Sequence, residues 1–150
     1  MSDAPAPGAR QFILAFLGTF AIMFLAPLIP YGALSILTGL EPPGSGSGAA
    51  FLVGVVVMKL GIAFGFVAIF HLGREVLSGR WLGYAGAWWL MYAIVEAGQA
   101  IAPAYSWQEA GAGVVAEAIY FPLSARLVER LLGMGRVRRA DRIDRAGGER

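Results

Sequence analysis

Long apolar runs separated by short polar breaks set the plan of this chain. Apolar residues dominate four segments, about 11–37, 49–71, 81–101 and 110–132. Each is long enough to cross a hydrocarbon layer as a helix, which takes about 20 residues. The breaks between them are turn-forming: EPPGSGSG at 41–48, HLGREVLSGR at 71–80 and the stretch around Pro103 at 102–108. The pattern predicts an all-α integral membrane protein, a four-helix transmembrane bundle over 11–132. It is flanked by a disordered tail at 1–10 and an Arg-rich tail at 133–150. The first run is longer than a signal-peptide core of about 7–15 residues, so it reads as an uncleaved span. No internal repeat is evident.

Local signals refine these segments. Pro27 and Pro30 lie inside the first run and should free the carbonyls of Met23 and Ala26. Gly61 and Gly65 form a GxxxG pair on the second run, with Gly54 on nearly the same stripe, a spacing that permits close helix approach. Trp81, Tyr84, Tyr105 and Trp107 fit belts at the two membrane surfaces. Pro122 interrupts the fourth run and should free the carbonyl of Ala118.

Composition agrees with the pattern. Of the 150 residues 57% are hydrophobic and only 15% charged, against about 45–50% and about 25% for soluble domains. There is no cysteine, which excludes disulfides, thiolate metal sites and a cysteine nucleophile. The distribution of charge matters more than the +2 net charge. Loops 41–48 and 102–108 carry no arginine, whereas the 71–80 loop and the C-terminal tail hold most of those outside the runs. The positive-inside rule then puts both termini in the cytoplasm, in a multi-pass protein of the cell's inner membrane.

The unusual chemistry lies inside the runs. Lys59, the single lysine, interrupts the second; Glu96 and Glu117 lie deep in the third and fourth. At about 1.5 Å per residue they lie roughly 15, 9 and 12 Å from the outer ends of their helices, so they share one layer with Tyr31 near it. Helical spacing puts Trp89, Tyr92, Glu96 and Gln99 on one stripe and Gly113, Glu117, Tyr120 and Ser124 on another. Lipid-facing charge would cost about 2.5–3.5 kcal/mol per residue on insertion scales, so both stripes should turn inward. Lys59, Glu96 and Glu117 are therefore the candidate ion or proton site, with Tyr31, Tyr92, Gln99 and Tyr120 in support.

One lysine cannot neutralise two glutamates. Either Lys59 pairs with one while the other holds a proton against Gln99 or Tyr120, as structural glue, or the second carboxyl exchanges a proton or cation. The corresponding functions are a small proton- or cation-coupled transporter or channel, and a non-catalytic membrane subunit or assembly factor. A membrane enzyme acting on a lipid is a third, with the carboxyls as acid and base. The implied partners are the lipid bilayer and either a second copy or a membrane subunit. Nothing points to nucleic acid, a cofactor or a metal. His71 is a lone interfacial histidine, Trp88 and Trp89 read as packing or belt residues, and the spacing of Arg126, Glu129 and Arg130 predicts a surface ion-pair set.

Overall fold

A computed structural model describes residues 8–39, 48–102 and 106–133. Six helices occupy them: α1 (Ala9–Leu25), α2 (Leu28–Thr38), α3 (Gly48–Leu72), α4 (Arg74–Leu77), α5 (Trp81–Ile101) and α6 (Trp107–Leu132). No strand occurs among the described residues. Residues 1–7, 40–47, 103–105 and 134–150 lie outside them, and with them the expected 41–48 loop, the Tyr105 belt position and the Arg-rich tail. Ala9 and Arg10, expected in the tail, are helical: the Gly8 N–H is met by the Gln11 side chain at 3.1 Å, which starts the helix there.

The first apolar run bends where proline requires it. α1 ends at Leu25 and α2 begins at Leu28, with Pro27 as its N-cap. The Ala26 carbonyl freed by Pro30 is recaptured by the Ile29 N–H at 3.3 Å, and the Pro27 carbonyl accepts from Tyr31 N–H at 3.1 Å. A three-residue hydrogen bond thus replaces the lost four-residue one, and the bend leaves no gap in the chain's apolar path. α2 then stops at Gly39, whose φ of +68° is open to glycine at little cost.

At the other end α6 begins at Trp107, three residues before the apolar run. Ser106 and Glu109 form a reciprocal cap: the Glu109 N–H donates to Ser106 Oγ at 3.2 Å, and the Ser106 N–H donates to Glu109 Oε2 at 2.6 Å. Two backbone donors that would otherwise lack partners are thereby satisfied.

Three stretches are long and apolar enough to cross a membrane: 9–37 taken through its bend, 48–72 and 107–132. Large apolar side chains such as Ile29, Ile36, Val53, Leu82 and Ile94 point outward. A soluble monomer rarely exposes so much apolar surface. The protein is therefore an all-helical membrane protein. α5, with 21 residues, is also long enough to cross, but its tryptophans, tyrosines, Glu96 and Gln99 make it less apolar than these three.

α6 is the element the others surround. It packs against α1, α2, α3 and α5. Half of its apolar stretch is buried, against 17% in each of the other two. It is also the least apolar of the three. The most polar of these three stretches thus takes the interior position, and the two more apolar ones help to shield it. Two glycines let neighbours approach closely. A Cβ at position 18 of α1 would lie 2.6 Å from Leu127 Cδ2 of α6, and one at position 113 of α6 would meet Glu96 of α5. Gly54 and Gly61, singled out by their spacing, have nothing within 4 Å of an added Cβ, and Gly65 has only a Trp88 atom at 4.0 Å. The GxxxG stripe therefore makes no close helix contact within the described chain.

Between α3, α5 and α6 lies an aromatic core. The Phe66 ring lies 4.6 Å from that of Tyr84, 5.4 Å from Trp88 and 5.8 Å from Phe121. The Tyr84 hydroxyl donates to the Phe66 carbonyl. Tyr84, expected in a surface belt, is thus a buried core residue: its hydroxyl finds an acceptor inside, so it has no need of the interface.

Candidate functional site

The polar layer lies beside this aromatic core. Tyr92 of α5 and Phe121 of α6 stand 5.3 Å apart, and Phe121 stands 4.6 Å from Tyr120. Tyr120 is buried and forms the floor on which the charged groups sit. Lys59 arrives from α3, Glu96 from α5, and Glu117 from α6 one turn before Tyr120.

Lys59 does not pair with a carboxylate among the described residues. Its ammonium donates to Tyr120 Oη at 3.4 Å and lies 4.6 Å from the ring centroid of the same residue. Tyr120 therefore meets Lys59 with both its hydroxyl and its π face. A desolvated contact of the second kind is worth up to about 2 kcal/mol. The lysine–glutamate ion pair considered from the sequence is replaced by a lysine–tyrosine contact.

The two carboxyls differ in setting. Glu117 is 3% exposed and lies on the buried side of α6. Its Oε2 is buried without a hydrogen-bond partner. Glu96 is half-buried and its Oε2 is likewise buried and unpartnered. Its carboxyl lies over Gly113, where an added Cβ would be 2.6 Å from the carboxyl carbon and 2.7 Å from Oε1. Only glycine leaves room for a carboxyl against the α6 backbone at that point. Gly113 is on the same stripe as Glu117, one turn away, so the two carboxyls come from facing surfaces of α5 and α6.

Lys59, Glu96 and Glu117 lie within one another's electrostatic reach, and the charges of both glutamates reach Tyr31 on α2. Tyr92 is within reach of Glu117. The structure thus gathers Lys59, Glu96, Glu117, Tyr31, Tyr92 and Tyr120 in one place. It does not bring in Gln99, which is exposed on α5. Gln99 lies three residues beyond Glu96, about 60° round the helix from it, and Ala100 beside it takes the buried side. On α6 the whole predicted stripe is buried: Gly113, Glu117, Tyr120 and Ser124.

Other candidates fall elsewhere. His71 lies twelve residues beyond Lys59 on α3, about 18 Å along the axis, and its ring is edge-on to Phe12 at 5.5 Å. No group of three metal-ligating side chains occurs among the described residues. Trp88 and Trp89 have separate roles. Trp88 stacks with Tyr92 at 6.2 Å, and Trp89 donates its indole N–H to the Val114 carbonyl at 3.1 Å. The expected ion-pair set at the end of α6 is not formed as such. Glu129 accepts from the Gly79 N–H at 3.0 Å, and the Arg126 guanidinium lies over Trp81 at 5.2 Å.

Two features of the site are not apparent from residue order. Gly113 was visible on the Glu117 stripe, but its use as a seat for Glu96 depends on helix separation, which no local pattern encodes. The Ser106–Glu109 cap was legible as S-x-x-E and was masked by the polar, turn-like residues around it.

No family model matches the chain, and no match was found among characterised proteins or solved structures.

Proposed function

We propose that this is a small membrane protein that moves protons across the bilayer, a channel or transporter whose proton-carrying groups are Glu117 and Glu96. In this reading α5 crosses the membrane with the three more apolar stretches. The arginine distribution puts both termini in the cytoplasm, and the polar layer falls in the outer half of the bilayer.

One observation carries the reading: Glu117 is enclosed and has an unpartnered oxygen, while the adjacent cation is held by Tyr120. A carboxyl buried for structural reasons is normally paired or fully hydrogen-bonded, because an unpaired buried charge is costly. Here the candidate counter-charge is kept on Tyr120, which is itself within hydrogen-bonding reach of Glu117, and the carboxyl keeps one oxygen unpartnered for taking up and releasing a proton. Glu96 on the facing helix offers a second station. Lys59 supplies positive charge that steadies the layer when one carboxyl is ionised. Ionisable side chains inside membrane helices commonly mark such paths.

The test is proton flux in proteoliposomes loaded with a pH-sensitive dye. Wild-type protein should dissipate an imposed pH gradient faster than empty vesicles. Glu117→Gln should abolish the difference, and the remote surface substitution Glu75→Gln should not. Flux in Glu117→Gln equal to wild type overturns the proposal. So does wild-type flux equal to that of empty vesicles.

A further inference from the structure

A groove on the outer face between α5 and α6 is separate from the polar layer. It measures about 310 Å³ and is lined by Leu82, Ala85, Gly86, Trp89, Ala118 and Pro122. Three features open it. Ala85, Gly86 and Ala118 supply almost no side-chain volume. Pro122 lacks an N–H and cannot close the helical bond to the Ala118 carbonyl. Trp89 is pinned by its bond to the Val114 carbonyl, so its ring stands as a fixed wall. The lining is almost wholly apolar, and it opens where the bundle exposes Leu82 and Leu90.

The mouth of the groove is positively charged. Position 126 continues the stripe of 118 and 122 one turn further along α6, and the Arg126 guanidinium lies over Trp81 at the start of α5. Arg80 precedes that tryptophan, and Arg130 follows Arg126 by one turn; all three arginines are exposed. Glu129, the acidic residue nearest in sequence, is engaged with the Gly79 N–H. An apolar slot leading to an arginine beside an interfacial tryptophan has the polarity of one ligand class, an acyl chain with an anionic headgroup.

We propose that this groove binds an anionic phospholipid, one acyl chain between Leu82 and Trp89 and the phosphate at Arg126. Charge complementarity selects the headgroup, and the small residues admit the chain. The site lies nearer the start of α5 than Glu96, on the same side of the helix, and does not depend on proton transport.

The test is native mass spectrometry of the full chain released from membranes of equal phosphatidylglycerol and phosphatidylcholine. Wild-type protein should retain phosphatidylglycerol in preference. Arg126→Gln should lower that preference about fivefold, the usual effect of removing one basic residue near anionic lipid. Gly86→Leu should lower retention of both lipids. An added Cβ at position 86 meets nothing within 4 Å, so this change fills the groove without disturbing the bundle. Arg74→Gln, remote from the groove, should match wild type. Unchanged preference in Arg126→Gln overturns the proposal, as does an equal loss in Arg74→Gln. A change of oligomeric state in Gly86→Leu also overturns it, because a second copy would then be the occupant.

Discussion

The carboxyl of Glu96 rests on Gly113, on the facing helix, so closely that a single added carbon at position 113 would lie 2.6 Å from the carboxyl carbon. Glycine therefore sets the position of a carboxyl on a different helix. Gly113→Ala should displace the end of the Glu96 side chain, which is flexible, and leave the backbone in place. The expected outcome is a several-fold loss of proton flux at unchanged folded amount and a near-unchanged melting temperature. Flux in liposomes beside a melt in detergent checks it.

Tyr120 holds Lys59 by two contacts, and these can be separated. Tyr120→Phe keeps the ring and removes the hydroxyl, so it should cost about 1 kcal/mol, the net worth of one hydrogen bond. Lys59→Met loses both contacts and should cost more, roughly 1–2 kcal/mol with the desolvated ring contact included. Denaturant or thermal unfolding of the two variants in the same detergent orders them. Equal stability of both with wild type would show that the contact contributes nothing.

The turn between α4 and α5 is held from α6. Gly79 has φ of +81°, and its N–H is satisfied by Glu129. Glu129→Ala removes the acceptor and should speed amide exchange at Gly79 and in the first turn of α5, with little effect on α1. Gly79→Ala places a side chain in left-handed backbone and should cost about 1–2 kcal/mol. Hydrogen exchange resolved by residue checks the first, and a melt the second.

Ser106→Ala removes the reciprocal cap of α6. A loss of about 1 kcal/mol is expected, the usual cost of an N-cap. The first turn of α6 should fray, and Trp107 fluorescence should shift accordingly. Glu109→Gln should be milder, because glutamine retains an oxygen acceptor for the Ser106 N–H.

Much of this arrangement could be read from residue order, for identifiable reasons. Apolar runs mark spans because the bilayer leaves few alternatives. The rise per residue was enough to expect Lys59, Glu96 and Glu117 at a common depth. The period of α6 turned Gly113, Glu117, Tyr120 and Ser124 to one side. The unread parts depend on distances between helices. Sequence spacing favoured Gly61 and Gly65 as the close approach, yet the close approaches occur at Gly18 and Gly113, whose partners are remote in the chain. Charge counting suggested a lysine–glutamate pair, whereas Tyr120 takes the lysine because its hydroxyl and ring face α3 together. Gln99 shared a stripe with Glu96 by count, but it is exposed, and Ala100 takes the buried side at the end of α5.

The structural alternative makes a distinct forecast. If the carboxyls only lock the bundle, Glu117→Gln should chiefly reduce folded protein in the membrane, and Lys59→Met added to it should restore that amount. Under the transport account the folded amount stays near wild type and Lys59→Met restores no flux. Quantifying both variants in membranes separates the two.

The most direct measurement is infrared difference spectroscopy of the reconstituted protein across a change of bulk pH. The account predicts a carboxylic-acid C=O band that appears and disappears with pH, is lost in Glu117→Gln and is retained in Glu75→Gln. A wild-type spectrum with no such band, or a band unaltered in Glu117→Gln, contradicts it.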